Sequence, residues 1–459
     1  MSEPVSLEEL RDWMDKCNPW APVGPEHPFF VNFYDFEHQG QRISLRGEGD
    51  GAGPGLEQVA NAIALAKDES CSLFSGFSGT GKSSELLGFK RSLERSGYLV
   101  LIADAQAYLN LKRPLTITEL LIVVAAAFGD VAAKRLAEDS SESPSDGLGV
   151  PRYLTRFVAF LQQDVDLGSV KLPTGLADLQ VGISTNQPFW IQVRDHLAAS
   201  VGRLQRDAHD YVQEVMRALR RVYPELNGVV FVLDSLEKIR GAKPEEFDAV
   251  IDSVIDVFDK QASLVRFPCH IVYTIPPYVR QLSLGTYYDH VTEILPSIRV
   301  HERGTTEPYA PGVEALCELV RRRIPTARVF GPDEALLRRL VHYSGGHVRL
   351  LLTFVRDVLL RVARLGVPVE LSTIDRVLQR HREDTEPSLW GERLPLLRDI
   401  IARGELSGME RAQLPVLAGL LDEYTVLCYR NGSGWYDVHP LVRDKVLQLI
   451  ARQAEADQA

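Results

Sequence analysis

The sequence predicts an α/β chain in three parts: a doubly wound parallel sheet, an all-helical segment, and a small winged helix. Three observations predict it. Nearly wholly apolar runs such as Gly228–Leu233 (G-V-V-F-V-L) alternate with segments of helical period, as buried parallel strands and their crossovers must. Beyond Val300 the periodic segments are helical. From about Ser388 the pattern is helix, helix, hairpin, helix, the order of a winged helix.

Residues 1–55 are expected to be an irregular lead-in, because 18–58 are rich in Pro, Gly and aromatics, with a flexible loop at Gly47–Gly55. A helix is expected over Leu56–Lys67, a buried strand over Ser70–Ser75, a helix over Ser83–Ser96 and a strand over Tyr98–Ala103. The long helix Thr118–Glu138 runs into a polar stretch at 140–149. Helix Tyr153–Gln163, an extended piece at Leu179–Ser184 and a long helix Phe189–Val222 fill an insertion spanning 104–227. After strand Gly228–Leu233 come helix Glu245–Lys260 and strands His270–Ile275 and Glu293–Val300. The all-helical segment, 301–387, contains Gly312–Arg323, Pro332–Tyr343, Arg349–Leu365 and Ser372–Glu383. The final segment, 388–459, has helices Pro395–Ala402 and Gln413–Asp422, then V-L-C-Y-R, N-G-S-G and W-Y-D-V as a hairpin, then helix Pro440–Gln453.

Composition narrows the function classes. The 459 residues are 45% hydrophobic and 25% charged, which excludes a mostly disordered chain, a collagen and a long coiled coil. The five scattered cysteines form no C-x-x-C, so neither a disulfide scaffold nor a structural zinc site is expected, and a reducing cytoplasm is. The longest apolar run, Leu120–Phe128, is far short of the ~20 residues that span a bilayer, so no membrane is expected. A net charge of −11 makes the whole chain a poor bulk binder of nucleic acid. The charge is nevertheless uneven. Residues 1–70 carry thirteen acids against five bases, and residues 319–366 carry ten arginines against three acids. Such a basic segment suits phosphate, nucleic acid or an acidic protein face, or pairs within the molecule.

Gly76–Ser83 reads G-F-S-G-T-G-K-S, a full G-x-x-x-x-G-K-[ST], directly after an apolar strand and opening a helix. The chemistry needs this order. Gly76, Gly79 and Gly81 let the backbone wrap so that N–H groups, including those of Ser78 and Thr80, face phosphate oxygens. Lys82 supplies a point charge for the β- and γ-phosphates, Ser83 a hydroxyl for Mg²⁺, and Ser84 a donor for the α-phosphate. ATP or ADP with Mg²⁺ is therefore the expected ligand. A carboxylate is needed on a neighbouring strand, and Asp234 ends V-V-F-V-L-D at the sheet edge where ligands bind, as the second metal-holding residue. Glu237, three residues on, is the candidate to polarise the attacking water. Thr274, at the tip of H-I-V-Y-T-I, is placed to report the nucleotide state, and Arg280 beyond it could reach phosphate.

This order of pieces resembles the AAA+/STAND division of P-loop ATPases, with an NB-ARC/NACHT-like core, a helical lid and a C-terminal winged helix. The likeness covers residues 56–450 and implies a core at 56–300, a lid at 301–387 and a winged helix at 388–459. S-G-G-H-V-R-L-L-L at Ser344–Leu352 is similar to the small-domain S-G-G-x-P-R-x-L signature, with Val348 in place of proline and Arg349 as a sensor or a helix-start base. D-V-H-P-L-V-R at Asp437–Arg443 is similar to the winged-helix M-H-D motif, and that likeness implies that His439 caps the β-phosphate of ADP. Many such ATPases place the catalytic acid immediately after the metal acid. Here Ser235 stands there, and slow hydrolysis is expected.

The reading favoured by these residues is an ATP-driven switch ATPase. ADP would hold lid and winged helix closed, and release would permit homo-oligomerisation or contact with a separate effector or sensor protein, in a prokaryotic defence or signalling system. The alternative is a DNA-associated AAA+ ATPase of loader or transposition-regulator type. The balanced charge after Pro440 does not favour DNA.

Overall fold

The computed structural model describes residues 3–47, 55–139, 200–241, 246–282, 284, 287–406 and 410–458. The sequence expectations at 140–149, Tyr153–Gln163 and Leu179–Ser184, the start of the helix from Phe189 and nearly all of the Gly47–Gly55 loop lie outside those residues.

The chain opens with α1 (Leu7–Lys16) and a short hairpin, β1 (Phe36–His38) and β2 (Gln41–Ile43). Then α2 (Gly55–Leu65) leads to β3 (Cys71–Ser75), α3 (Lys82–Arg95) and β4 (Tyr98–Asp104). Two long helices, α4 (Ile117–Asp139) and α5 (Val201–Val222), precede β5 (Gly228–Asp234). Helix α6 (Phe247–Ile255) widens into a π-helical turn at Asp256–Lys260, followed by β6 (His270–Ile275) and β7 (His290–Val291). Next come α7 (Ala310–Arg321), α8 (Thr326–Phe330), α9 (Ala335–Tyr343), α10 (Val348–Leu365) and α11 (Leu371–Thr385). The chain closes with α12 (Arg393–Arg403), α13 (Leu414–Asp422), the hairpin β8 (Val426–Asn431) and β9 (Ser433–Val438), and α14 (Arg443–Gln458).

These elements form two compact bodies. One contains Leu56–Ser75 and Phe89–Glu293; the other contains Met1–Gly55, Gly76–Gly88 and Ile294–Ala459. The first is the doubly wound parallel α/β body. Its sheet runs β4-β5-β6-β3-β7, and each strand is parallel to its neighbours. Strands β3 and β6 are buried at every residue, as central parallel strands are, and the polar Ser72, Ser75, His270 and Thr274 are buried with their apolar neighbours. Phe128 of α4 meets Phe231 of β5 edge-on at 5.5 Å. Helices α4 and α5 lie so close that a Cβ on Gly129 would come within 2.2 Å of the Tyr211 hydroxyl.

Two expectations about the strands are corrected. Asp234 is not on the strand beside β3, because β6 lies between them. No strand runs through Glu293–Val300 either. Among the described residues beyond β7, only an isolated parallel bridge of Leu295 to Gly76 precedes Pro296, which has no N–H to donate, and the N–H groups of Ser297 and Ile298 go to the carbonyls of Cys428 and Gly346.

In the second body α1, α7, α9, α10 and α11 share an apolar core, and Leu427, Tyr429 and Trp435 of the β8–β9 hairpin form a smaller cluster. The expectation of an irregular lead-in at 1–55 is corrected here. Ser6 and Glu9 form a capping box that starts α1, and Leu10 and Trp13 bury its inner face in that core. Gln39 and Gly40, both with positive φ, turn the β1–β2 hairpin. The helix–helix–hairpin–helix order of the C-terminal segment is as expected, with Gly432 at φ 70° making the hairpin turn. Among the described residues no helix is long and apolar enough to cross a membrane.

One glycine in this body has no alternative. Gly346 has φ 73°, and a Cβ there would lie 1.6 Å from the Ile298 carbonyl oxygen. Gly304 has a similar φ of 75° with nothing within 4 Å of the same atom. Gly346→Ala is expected to cost about 3 kcal/mol or more, and Gly304→Ala about 1 kcal/mol from backbone strain alone. Urea unfolding of both variants checks the difference; equal losses would mean that the Ile298 contact carries no energy.

Candidate nucleotide-binding site

The phosphate loop follows β3 directly in sequence. Gly79 and Gly81 take φ values of 83° and 101°, the left-handed conformations that let the chain turn back on itself before α3. Thr80 closes the turn, its hydroxyl donating to the Phe77 carbonyl at 2.9 Å. Lys82 is buried, with Nζ 2.9 Å from the Gly76 carbonyl and 2.8 Å from that of Phe77. Ser83 is exposed in the first turn of α3. Ser84 Oγ accepts the Val23 N–H at 3.0 Å, an acceptor role that still leaves its proton to donate.

The outer side of this loop is held by two other segments of the same body. From the lid turn, His347 Nε2 lies 2.8 Å from the Ser78 carbonyl, the Arg349 N–H donates to the Gly79 carbonyl at 3.1 Å, and the Arg349 guanidinium donates to Ser78 Oγ at 2.8 Å. The turn sits so close that a Cβ on Gly79 would come 2.7 Å from the His347 ring. From the N-terminal segment, Arg46 donates to the Thr80 carbonyl at 2.5 Å and to Glu85 at 3.0 Å. Arg46 is only 5% exposed, and burial raises the Glu85 carboxyl while the Arg46 charge works against that rise. The Arg349 guanidinium also lies 4.3 Å over the exposed Trp20 ring.

His347 also accepts the Leu350 N–H on Nδ1 at 3.2 Å, capping the start of α10. An acceptor Nδ1 fixes the proton on Nε2, so this neutral ring donates to the loop. His439 is arranged in the same way. Its Nδ1 accepts the Leu441 N–H at 3.1 Å, and its Nε2 donates to the Ser344 carbonyl at 3.2 Å. Both nitrogens of His439 are thus engaged with backbone. Its connection to the phosphate loop runs through the Ser344–His347 turn rather than through the ring itself. Tyr429 adds a second tie from the hairpin, its hydroxyl donating to the Gly345 carbonyl at 2.9 Å.

The remaining candidates belong to the sheet body. Register places Phe74 of β3 beside Thr274 of β6, while Leu233, just before Asp234, pairs with Tyr273. The C-terminal ends of these strands are therefore level. Asp234 is half-buried and accepts the N–H of Ser235 at 2.7 Å. That bond holds Ser235 at φ 73°, a conformation unusual for a residue with a Cβ. The bend feeds a 3₁₀ turn, Leu236–Lys238, which buries Glu237. Thr274 Oγ1 donates to Glu237 Oε2 at 2.9 Å and accepts the Leu236 N–H at 3.2 Å. Glu237 and Thr274, far apart in sequence, are one hydrogen-bonded pair. Arg280 instead pairs with Glu293 at 3.0 Å.

Sequence reasoning missed His347, Arg46 and Glu85 as neighbours of the loop. His347 had a signal, since it stands inside the S-G-G-H-V-R stretch. Arg46 and Glu85 had none, because their pairing spans 39 residues and depends on the fold.

No protein-family model matches the chain, and no curated protein does either. Among solved structures, the Walker-type ATPase of Pyrococcus abyssi is similar at 14% identity and a TM-score of 0.38, covering 86% of this chain and 94% of that one. The ORC2 protein of Aeropyrum pernix is similar at 11% identity and a TM-score of 0.36, covering 94% and 98%. Drosophila ORC bound to DNA is similar at 11% identity and a TM-score of 0.35, covering 91% and 80%. The fold assignment rests on the strand order and register of the sheet, not on these low-scoring likenesses.

Proposed function

We propose that the chain is an ATP-binding, slowly hydrolysing switch ATPase whose nucleotide state is coupled to the seating of its lid and winged helix. The observation that carries this reading is the direct hold of the lid turn on the phosphate loop through His347 and Arg349. A ligand bound by that loop shares its backbone with the lid, so each biases the other's free energy.

In this reading residues 56–300 are the core, 301–387 the lid and 388–459 the winged helix. Gly76–Ser84 cradle the phosphates and Lys82 neutralises them. The Ser83 hydroxyl and the Asp234 carboxylate are hard oxygen donors suited to Mg²⁺, and these are the residues that would hold it. When bound, that ion would offset phosphate charge. Glu237 orients the attacking water and accepts its proton, with Thr274 fixing the carboxylate's direction. Ser235, where an acid would stand in a faster enzyme, supports slow turnover. The resemblance to STAND switches extends the proposal to a separate effector or sensor protein, and to oligomerisation, in a prokaryotic defence or signalling system.

The DNA-associated alternative would draw on the arginine-rich lid, much of whose charge is met within the chain. Of the ten arginines at 319–366, Arg321, Arg322, Arg328, Arg338 and Arg339 form ion pairs with Glu or Asp. Arg323, Arg356 and Arg361 donate to backbone carbonyls, and Arg349 is on Ser78.

Lys82→Ala should weaken binding of ATP with Mg²⁺ by tenfold or more, the worth of about 1.5–3 kcal/mol for a charged hydrogen bond. Titration calorimetry reads this, and undiminished binding removes the phosphate-loop assignment.

Glu237→Gln should leave nucleotide affinity nearly unchanged and slow phosphate release by about 10²-fold or more. Thr274→Val, which removes one bond that orients the carboxylate, should slow it less. Normal turnover in Glu237→Gln would place water activation elsewhere.

A further inference from the structure

The phosphate loop can be described by where its carbonyls go. A trans peptide is planar, with its C=O and the following N–H pointing in opposite directions. The Ser78 carbonyl is held by His347, so the Gly79 N–H faces the other way. The Thr80 carbonyl is held by Arg46, so the Gly81 N–H does the same. The Gly79 carbonyl between them takes the Arg349 N–H. Three consecutive carbonyls are thus fixed from outside, one by Arg46, one by the start of α10 and one by the Ser344–His347 turn. That turn is itself held at successive residues. Ser344 accepts from His439, Gly345 from Tyr429, and Gly346 from the Ile298 N–H.

We propose that the Ser344–His347 turn is an external clamp on the phosphate cradle, with His347 as the positioning residue. In this arrangement His439 and Tyr429 transmit the seating of the C-terminal hairpin to nucleotide affinity. The inference rests on the reading of Gly76–Ser83 as a nucleotide-phosphate site, and it names the regulation of that site. His347 donates to a carbonyl on the face opposite the phosphates, so it touches no ligand. It acts by fixing the direction of the amides that do. Because Nδ1 is committed to Leu350, the imidazole cannot rotate without also uncapping α10. Release of the turn therefore removes the Ser78 bond and loosens the start of α10 together.

The experiment compares the full chain with His347→Ala, His347→Gln and Tyr429→Phe. It measures dissociation of fluorescent ADP with Mg²⁺, and hydrogen exchange of a peptide covering 76–81 without nucleotide. One lost hydrogen bond predicts about five- to tenfold faster dissociation in His347→Ala, with faster exchange in the loop. Gln, whose amide can donate, should recover much of the loss; a role in packing alone would not be rescued this way. Tyr429→Phe removes only the hydroxyl of a residue that touches no part of the loop, and it should still raise the dissociation rate about two- to fivefold. Should His347→Ala fail to fold, His347→Gln and Tyr429→Phe still report on the relay. Wild-type rates and wild-type exchange in all three overturn the clamp. If the unmodified chain binds no nucleotide, the switch reading fails by itself, and the exchange data alone decide whether the turn restrains the loop.

Discussion

A loop that offers its N–H groups to phosphate must turn its carbonyls the other way, and buried carbonyls need donors. Two segments of the second body meet that requirement. The donors are an imidazole and an amide from the lid turn and a guanidinium from the N-terminal segment. The two side chains are held by further bonds. Leu350 fixes the His347 ring, and Glu85 holds the other arm of Arg46. A buried arginine would be costly if unpaired, and Arg46 is tolerated because a carboxylate and a carbonyl share its guanidinium. Phe33 adds an aromatic face 5.4 Å from the same group.

The uneven charge of the sequence has a structural explanation. The acidic N-terminal segment and the arginine-rich lid pack together in one body. Arg328 bridges Glu3 and Glu9 at 2.9 and 2.8 Å, and Arg322, Arg323 and Arg356 donate to the carbonyls of Phe30, Phe29 and Met14. Exposed ion pairs are worth only ~0–1 kcal/mol each. Leu10, Trp13, Cys17, Val31, Phe33 and Leu45 enter the same apolar core as the lid helices, and burying such side chains is worth about 1.5–3 kcal/mol apiece. Apolar burial therefore dominates the attachment. The charges help to select which surfaces meet.

The central sheet was legible because buried parallel strands cannot be disguised. His270–Ile275 is observed with the bounds its apolar run suggested, and Gly228–Leu233 is extended by one residue. Helices with a strong 3.6 period were equally visible to within a few residues. The N-terminal segment was not, because Pro and Gly on either side of Phe29 and Phe30 obscured the S-L-E-E capping box at Ser6–Glu9, which was a readable signal. Strand adjacency was also hidden. Nothing in V-V-F-V-L-D says that β6 will come between it and β3. Motif spacing could propose Glu237 and Thr274 separately, but only the sheet register brings them into one hydrogen bond. His439 was singled out from a local pattern, whereas its bond to Ser344 spans 95 residues.

The two serial imidazoles of lid and hairpin contribute to the acid limb of the stability curve, as His209, His270 and His342, also lowered by burial, do in the same direction. Burial lowers the pKa of His347 to about 4 and that of His439 to about 3, so both stay neutral while folded across the physiological range. In the unfolded chain each would take up a proton below its ordinary 6.5. The unfolded state then binds more protons than the folded one, and stability declines as pH falls from about 6.5 towards 4 and 3. Above that window neither ring responds to protons. The bonds that His439 and His347 make from hairpin to turn and from turn to phosphate loop are therefore not lost by protonation of these rings near neutral pH.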